Sequence, residues 1–327
     1  MFEYVYVLVS KPGDTYYEQT LISAISLRNQ MPNACITLLV DEKTKETLVE
    51  NRSEIKKYVS KIVSACLPKD LSNMQKSRWL KTSMPEYIKN DFLYIDSDTV
   101  ITSSLEDIEQ NGVALGAVLD RHSLFSTNCC RYRIQKNAEK LGFCPAVCDR
   151  HFNGGVLLVR QNEKNVEFFK LWHKLWLESL KKNISIDQIS LAQANYMCNG
   201  IIQELPGIWN CQVENGFHYL FDAKVLHMFV LKGHHNRRPH PLMDSNFYLE
   251  IEKNGISDTT LNIIRNPLSF FSSKLQIIGD NSVDYWHTSS CQFFGNLYSV
   301  AKAKRIFFVI DSLLEHLTKI LKKFITH

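Results

Sequence analysis

The chain has 327 residues, 45% hydrophobic, 11% aromatic and 22% charged, with a formal net charge of +4. This composition supports a large buried core and excludes an intrinsically disordered chain. The charge is too mild for a general nucleic-acid binder, so no nucleic-acid partner is expected, and where the cations lie matters more than their number. Nine cysteines, an odd number and scattered, indicate free thiols in a reducing compartment and hence a cytoplasmic protein. Cys144-x-x-x-Cys148 lacks the second close pair that a zinc site needs.

Tyr4 to Val9 is a β-rich run with no basic segment before it, and it reads as a first strand rather than a signal peptide or anchor. Lys11-Pro12-Gly13-Asp14 is a loop, and from Thr15 the spacing of Leu21, Ile22 and Ile25 predicts a helix that closes at Met31-Pro32-Asn33. Cys35 to Val40 is a second strand, Lys43 to Tyr58 an exposed charged helix, and Lys61-Ile62-Val63 a short third strand. This alternation predicts a parallel α/β sheet with right-handed crossovers. Phe92 to Ile95, Val113 to Leu119 and Phe152 to Val159 are further buried strands, and Val166 to Leu180 is an amphipathic helix packed on them.

After about Pro241 the pattern weakens, and residues 242–290 carry no clear periodicity. The chain then ends in an apolar stripe (Ile310, Leu313, Leu314, Leu317, Ile320, Leu321, Phe324) flanked by Lys302, Lys304, Arg305, Lys319, Lys322 and Lys323. Such a helix can lie on an anionic membrane surface as a peripheral anchor, or dock on its own domain or a twin subunit in an oligomer; periodicity does not separate these. No apolar run is long enough to span a bilayer.

Chemistry concentrates first in Asp96-Ser97-Asp98, where an apolar run ends in two carboxylates. At the carboxyl end of a strand, these hard oxygen donors suit Mn²⁺ or Mg²⁺. Asp-Ser-Asp-Thr is also ordinary turn chemistry, and the two readings stand side by side here. The loop Ser10 to Tyr17 is neither a dinucleotide fingerprint nor a P-loop, although Asp14, Tyr16 and Tyr17 offer an acceptor and base-stacking faces. The cations of Lys76-Ser77-Arg78-Trp79-Leu80-Lys81 can neutralise a diphosphate or simply form a solvated helix face around a core Trp79. His227 ends an apolar run just before the cationic loop Lys232 to His240, and an imidazole suits Mn²⁺ better than Mg²⁺.

Taken in order, Asp14-x-Tyr16, Arg78, Tyr94-Ile95-Asp96-Ser97-Asp98, Gly116 to Asp120, Phe152-Asn153-Gly154-Gly155-Val156, Asp187-Gln188 and Leu226-His227 resemble glycosyltransferase family 8, over roughly residues 4–240. The resemblance implies a GT-A-fold α/β catalytic domain at 1–240, a mostly helical C-terminal region at 241–327, and a retaining transferase. Its hexose, galactose or glucose, would pass from a UDP-sugar donor to a saccharide or glycolipid acceptor of a surface polysaccharide or lipopolysaccharide. It further implies that Asp96, Asp98 and His227 bind Mn²⁺, with Mg²⁺ as the substitute. Asp14, Tyr16, Arg78, Ser97 and Lys232 would hold the nucleotide, Asp120, Asn153 and Gly154 the donor sugar, and Asp187 and Gln188 would flank the anomeric carbon. The sequence departs from the family pattern after His227, where Val230 replaces a glycine and Lys232-Gly233-His234-His235 replaces a Lys-Pro-Trp segment. Two further readings remain: a nucleotidyltransferase, for which Lys11-Pro12-Gly13 is a poor phosphate loop, and a membrane-peripheral binding protein with a decayed site.

Overall fold

Strand β1 (Phe2–Leu8) is buried along nearly its whole length, as a strand covered on both faces of a sheet must be. Its side chains divide by alternation: Tyr4, Tyr6 and Leu8 enter one core, and Val5 and Val7 the other. The first core receives Leu21, Ile22 and Ile25 of the helix Tyr16–Gln30. The second receives Leu80 of the helix Asn73–Thr82 and Phe168, Phe169, Trp172 and Leu175 of the helix Glu163–Lys181. Helices therefore cover both faces. In this computed structural model the described residues are 1–143, 149–230, 240–271 and 288–325, with the side chains of residue 299 and of those beyond 321 not described.

The remaining strands are β2 (Ile36–Asp41), β3 (Lys61–Ala65), β4 (Asp91–Ile95), β5 (Thr99–Ile101), β6 (Leu115–Leu119), β7 (Phe152–Val159), β8 (Gln203–Glu204), β9 (Cys211–Gln212) and β10 (Val225–His227). Seven form one sheet in the order β3-β2-β1-β4-β7-β6-β8. All its neighbours pair in parallel except β7, which runs antiparallel to both β4 and β6. This is the α/β architecture anticipated for a GT-A domain, with one reversed strand that the reading of a parallel sheet did not include.

Two features of this order locate the site. The strand order reverses between β1 and β4, and open α/β sheets bind ligands at the carboxyl ends of strands flanking such a switch. Because β7 is reversed, its first residues lie beside the last residues of β4 and β6, with Ile95 opposite Val156 and Leu119 opposite Phe152. Residues 96, 120 and 153–155 consequently meet at one edge. A small sheet, β5-β10-β9, pairs His227 with Thr99 and Gln212 and brings the end of β10 to the same place.

Elsewhere the structure differs from expectation in instructive ways. The charged helix expected over Lys43 to Tyr58 is broken into Glu42–Glu46 and a 3-10 helix, Glu50–Lys57, with Glu50 in the left-handed region at φ 47°. Past Pro241, the helices Ser245–Asn254 and Asp258–Arg265 bury Tyr248, Ile251, Ile263 and Ile264 in the same core as the helix Tyr16–Gln30. One compact unit accordingly spans Met1–Leu275, beyond the boundary expected at 240, and a second spans Gln276–His327. In the second unit the helix Ser289–Ser299 packs edge-on against the helix Lys304–Ile325 through Tyr298 and Phe307, with ring centroids 5.0 Å apart. The side chains of Lys322, Lys323 and Phe324 lie outside the described residues. Among the described residues no helix is long and apolar enough to cross a membrane.

Candidate active site

Strand β4 stops at Ile95, and Asp96-Ser97-Asp98 forms the turn into β5. The turn is pinned on both sides: the Asp96 N–H donates to the Gly155 carbonyl (2.7 Å), and the Asp98 carbonyl accepts from the Met228 N–H (2.9 Å). The Thr99 hydroxyl donates to the Asp96 carbonyl at 2.9 Å. The turn reading holds, and it leaves both carboxylates available to a metal ion. The carboxylates converge through the turn rather than through the alternation of a continuing strand. His227 Nε2 lies 3.1 Å from Asp98 Oδ1 and 3.9 Å from Asp96 Oδ2. Donor atoms from all three side chains fall within 4.8 Å of one another, which fits a single divalent cation.

A run of side chains fixes which imidazole nitrogen faces those carboxylates. The Asp120 carboxylate can only accept, and it takes the Asn153 Nδ2–H at 3.0 Å. Asn153 Oδ1 must then accept, from Asn210 Nδ2 at 3.0 Å and from the Gly155 N–H at 2.8 Å. Asn210 Oδ1 is left to accept from His227 Nδ1, 3.0 Å away. Nδ1 therefore carries a proton and Nε2 faces the two aspartates. Burial lowers the His227 pKa, but Asp98 and Asp96 outweigh it and raise it, and a bound cation would take the Nε2 lone pair in place of that second proton. Asn210 itself ends the 3-10 helix Gly207–Asn210, whose glycine leaves room for the Tyr219 ring.

Lys81 is the second organiser. It is 4% exposed, and its ammonium lies 3.2 Å from Asp96 Oδ1 and 3.6 Å from Asp187 Oδ2. Arg78 Nε holds the other Asp187 oxygen at 2.8 Å, and the Tyr94 hydroxyl bonds Asp96. Burial would raise the Asp187 carboxyl, but Arg78 and Lys81 outweigh it and hold its pKa below the ordinary range. Asp187 in turn, against the opposing effect of burial, raises the pKa of Arg78 further. The basic run of the helix Asn73–Thr82 is therefore an inward face and not a solvated one: Lys76 is also buried, 2.9 Å from Asp41.

Beside the cation site is a cavity of about 130 Å³ lined by Asp120, Asn153, Gln188, Arg121, His151 and Phe229, among others. Gln188 hydrogen-bonds Asp120; burial pushes the Asp120 carboxyl up, but His151, Asn153, Arg121 and Gln188 together hold it low. Arg121 (φ 57°), His122 (φ 52°) and Phe229 (φ 51°) all adopt left-handed backbone, which costs a non-glycine residue about 1–3 kcal/mol and tends to be retained at functional sites. Local contacts lock this conformation. Gln212 Oε1 accepts from the Arg121 N–H (2.7 Å), and its own N–H donates to His122 Nε2 (3.0 Å). The Arg121 guanidinium lies over the Phe229 ring at 4.6 Å, and that ring packs on His227 with centroids 4.2 Å apart.

The profile of Glycosyl transferase family 8 matches residues 13–228. The chain belongs to glycosyltransferase family 8. Solved structures resembling this family 8 chain include the galactosyltransferase LgtC with donor and acceptor sugar analogues: 17% identity, TM-score 0.47, 80% of this chain and 99% of that one. A glycosyltransferase GlyE of Streptococcus pneumoniae is 16% identical (TM-score 0.48; 84% and 66% covered), and mouse xyloside xylosyltransferase 1 is 12% identical (0.45; 69% and 97%). No curated protein matches the chain.

Of the residues singled out from sequence, the structure brings Asp96, Asp98, His227, Arg78, Asp120, Asn153, Asp187 and Gln188 to one edge of the family 8 sheet. Asp14 closes its own loop, accepting from the Ser10 hydroxyl (2.8 Å), the Lys11 N–H (2.8 Å) and the Tyr16 N–H (3.2 Å). Tyr16 opens the following helix and is 39% exposed. The Ser97 hydroxyl is hydrogen-bonded to Thr20 at 2.8 Å, toward that helix. A Cβ at Gly154 would make only ordinary contacts with Lys81 and Leu191, so the space that matters is at Gly155, where the His227 ring fills the place of a side chain. Lys232, Arg237 and Arg238 of the cationic loop, and Cys144 and Cys148, lie outside the described residues. Sequence reasoning missed Asn210 and His151, and it named Lys81 only as one of several cations. Lys81 had a signal, since three residues after Arg78 it shares that helix face.

Proposed function

We propose that this protein transfers a hexose, galactose or glucose, from a UDP-sugar to a saccharide or glycolipid acceptor of a surface polysaccharide or lipopolysaccharide, with retention and with Mn²⁺ as its preferred ion. The observation that carries this reading is the junction of two features at one sheet edge: the Asp96–Asp98–His227 donor set and the polar cavity walled by Asp120, Asn153 and Gln188. A divalent cation held by the three ligands supplies positive charge beside a departing nucleoside diphosphate. Lys81 and Arg78, already directed at Asp96 and Asp187, add fixed cationic charge at the same place. Asp120 and Asn153 orient the sugar through its hydroxyls, and Gln188, tied to Asp120, offers its amide oxygen to the developing oxocarbenium charge. Asp14, Tyr16, Ser97 and Lys232 serve the nucleotide in this reading, Mg²⁺ substitutes for Mn²⁺, and residues 1–240 carry the catalytic parts.

The test is a panel of UDP-sugars with Mn²⁺, scored by thermal shift and UDP release. At least one uridine nucleotide stabilises the protein, and Asp98→Ala abolishes transfer with little change in the melting curve. Full Mn²⁺-dependent activity in that variant, or no stabilisation by any uridine nucleotide, sinks the reading.

The same proposal includes peripheral attachment to the cytoplasmic face of a membrane through the helix Lys304–Ile325. Within its own unit this helix leaves Ile306, Leu313, Leu317 and Leu321 exposed beside Lys304, Arg305 and Lys319. Cosedimentation with anionic but not zwitterionic vesicles, weakened by salt, is the expected result. Equal binding to both kinds of vesicle, or to neither, refutes it.

A further inference from the structure

His151 immediately precedes β7, and its carbonyl accepts the Asp120 N–H at 2.7 Å, which holds the two residues side by side. The residue is 1% exposed. Both ring nitrogens are buried and without a hydrogen-bond partner among the described residues. His151 is among the residues lining the cavity with Asp120, Asn153 and Gln188, and Phe125 packs against its ring with centroids 5.7 Å apart. Buried polar groups in folded proteins nearly always have a partner, so a histidine with two idle nitrogens beside a polar cavity points to a ligand. Among the described residues the cluster able to hold a metal is Asp96, Asp98 and His227, and His151 is not part of it.

Burial lowers the pKa of the imidazole, and the nearby Asp120 charge does not reverse this. A neutral imidazole presents one donor and one acceptor, whereas the adjoining Asp120 carboxylate only accepts. A hydroxyl group suits both, since it donates its proton to one neighbour and receives a proton from the other. We propose that His151 binds a hydroxyl of the donor hexose and, with Asp120, sets which hexose is accepted. This rests on the UDP-sugar reading above.

The experiment measures binding of UDP, UDP-glucose and UDP-galactose with Mn²⁺ by calorimetry, together with KM and kcat for the better donor. His151→Phe keeps UDP affinity within about twofold, raises the dissociation constant and KM of the preferred UDP-hexose by about tenfold, and narrows the preference between the two sugars. His151→Gln, which can still give and take a hydrogen bond, recovers part of that loss; it also serves as the test if the Phe variant does not fold. Equal weakening of UDP and UDP-hexose, or unchanged discrimination in the Gln variant, overturns the inference. Wild-type protein that binds UDP but gains nothing from the attached hexose overturns it too. Failure to bind UDP at all instead refutes the nucleotide-sugar reading on which it stands.

Discussion

Gly155→Ala is the smallest change that should dismantle the cation site. A Cβ there would lie 2.8 Å from both His227 Nδ1 and Asn153 Oδ1, and closer still to His227 Cε1. The backbone cannot retreat, because the Gly155 carbonyl accepts from Asp96 and its N–H donates to Asn153 Oδ1. The imidazole cannot retreat either, held by Asn210 on one nitrogen and covered by the Phe229 ring. Overpacking of this kind costs about 1–3 kcal/mol of stability. Because the group pushed aside is a proposed metal ligand, a loss of about 10–100-fold in Mn²⁺ affinity is expected to accompany it. Gly154→Ala is the internal control, since its nearest neighbours, Lys81 and Leu191, stand 3.5–3.6 Å away. Isothermal titration with Mn²⁺ and a thermal melt on the two variants separate them. If Gly155→Ala binds Mn²⁺ like the parent, or Gly154→Ala is the more damaging change, the placement of His227 over Gly155 is wrong.

Asn210→Leu removes the acceptor for His227 Nδ1–H while leaving all three ligands in place, and Mn²⁺ affinity by titration should drop about 10-fold or more; unchanged affinity would show that the imidazole needs no such anchor. Arg78→Met strips Asp187 of its closest cation, and because Arg78 is about one-third exposed the destabilisation at pH 7 should be about 2 kcal/mol rather than the larger cost of a fully buried pair. Since the pKa of Asp187 is lowered in the folded state, its contribution is present above the ordinary carboxylate range and lost as pH falls through the depressed value. Urea midpoints of parent and variant should therefore converge as pH falls below the ordinary carboxylate range, and a gap independent of pH would contradict the pairing. Cys130 accepts a hydrogen bond from Cys129, which with Arg121 and Arg133 outweighs burial and lowers its thiol to about 6, whereas burial pushes Cys211 up to about 12. Iodoacetamide at pH 7 followed by peptide mass spectrometry should label Cys130 well before Cys211; the opposite order would refute the assignment.

Much of this architecture could be read before any coordinates, for physical reasons that differ by residue. The strands Ile36–Asp41 and Phe152–Val159 are buried on both faces, so continuous apolar runs announced them. Asp96 and Asp98 stood out because two carboxylates follow such a run directly, a pattern that suits a metal ion and equally the turn they form. The break at Glu50 was not legible, because a positive φ at a glutamate leaves no mark in hydrophobic periodicity. The buried state of Lys76 and Lys81 was hidden for a related reason: a lysine looks solvated until its carboxylate partner is known, and Asp41 and Asp96 come from other strands. The helices between 245 and 265 were missed because they are short, 10 and 8 residues, and their apolar residues are satisfied by packing on a helix more than two hundred positions earlier.

Asn210 and His151 had no local signal at all, and their absence from the sequence reading shows where motif reasoning stops. Motifs name the groups that touch a ligand, because those groups are constrained in type and order. The groups that orient them are constrained only in space. Here the orienting residues form one line from Asp120 through Asn153 and Asn210 to His227. Its direction is set at Asn153 by two groups, the acceptor-only Asp120 carboxylate and the Gly155 N–H, which can only donate, so each amide has one permitted orientation and His227 Nδ1 carries a proton. The proposed sugar wall and the proposed metal ligand are consequently not independent. Replacement of Asp120 by asparagine removes one of the two constraints on Asn153 and leaves only the Gly155 N–H, so the nitrogen offered at Asp98 is less firmly fixed. Loss at the sugar end should be felt at the metal end through hydrogen-bond direction alone, with every side chain still in its place.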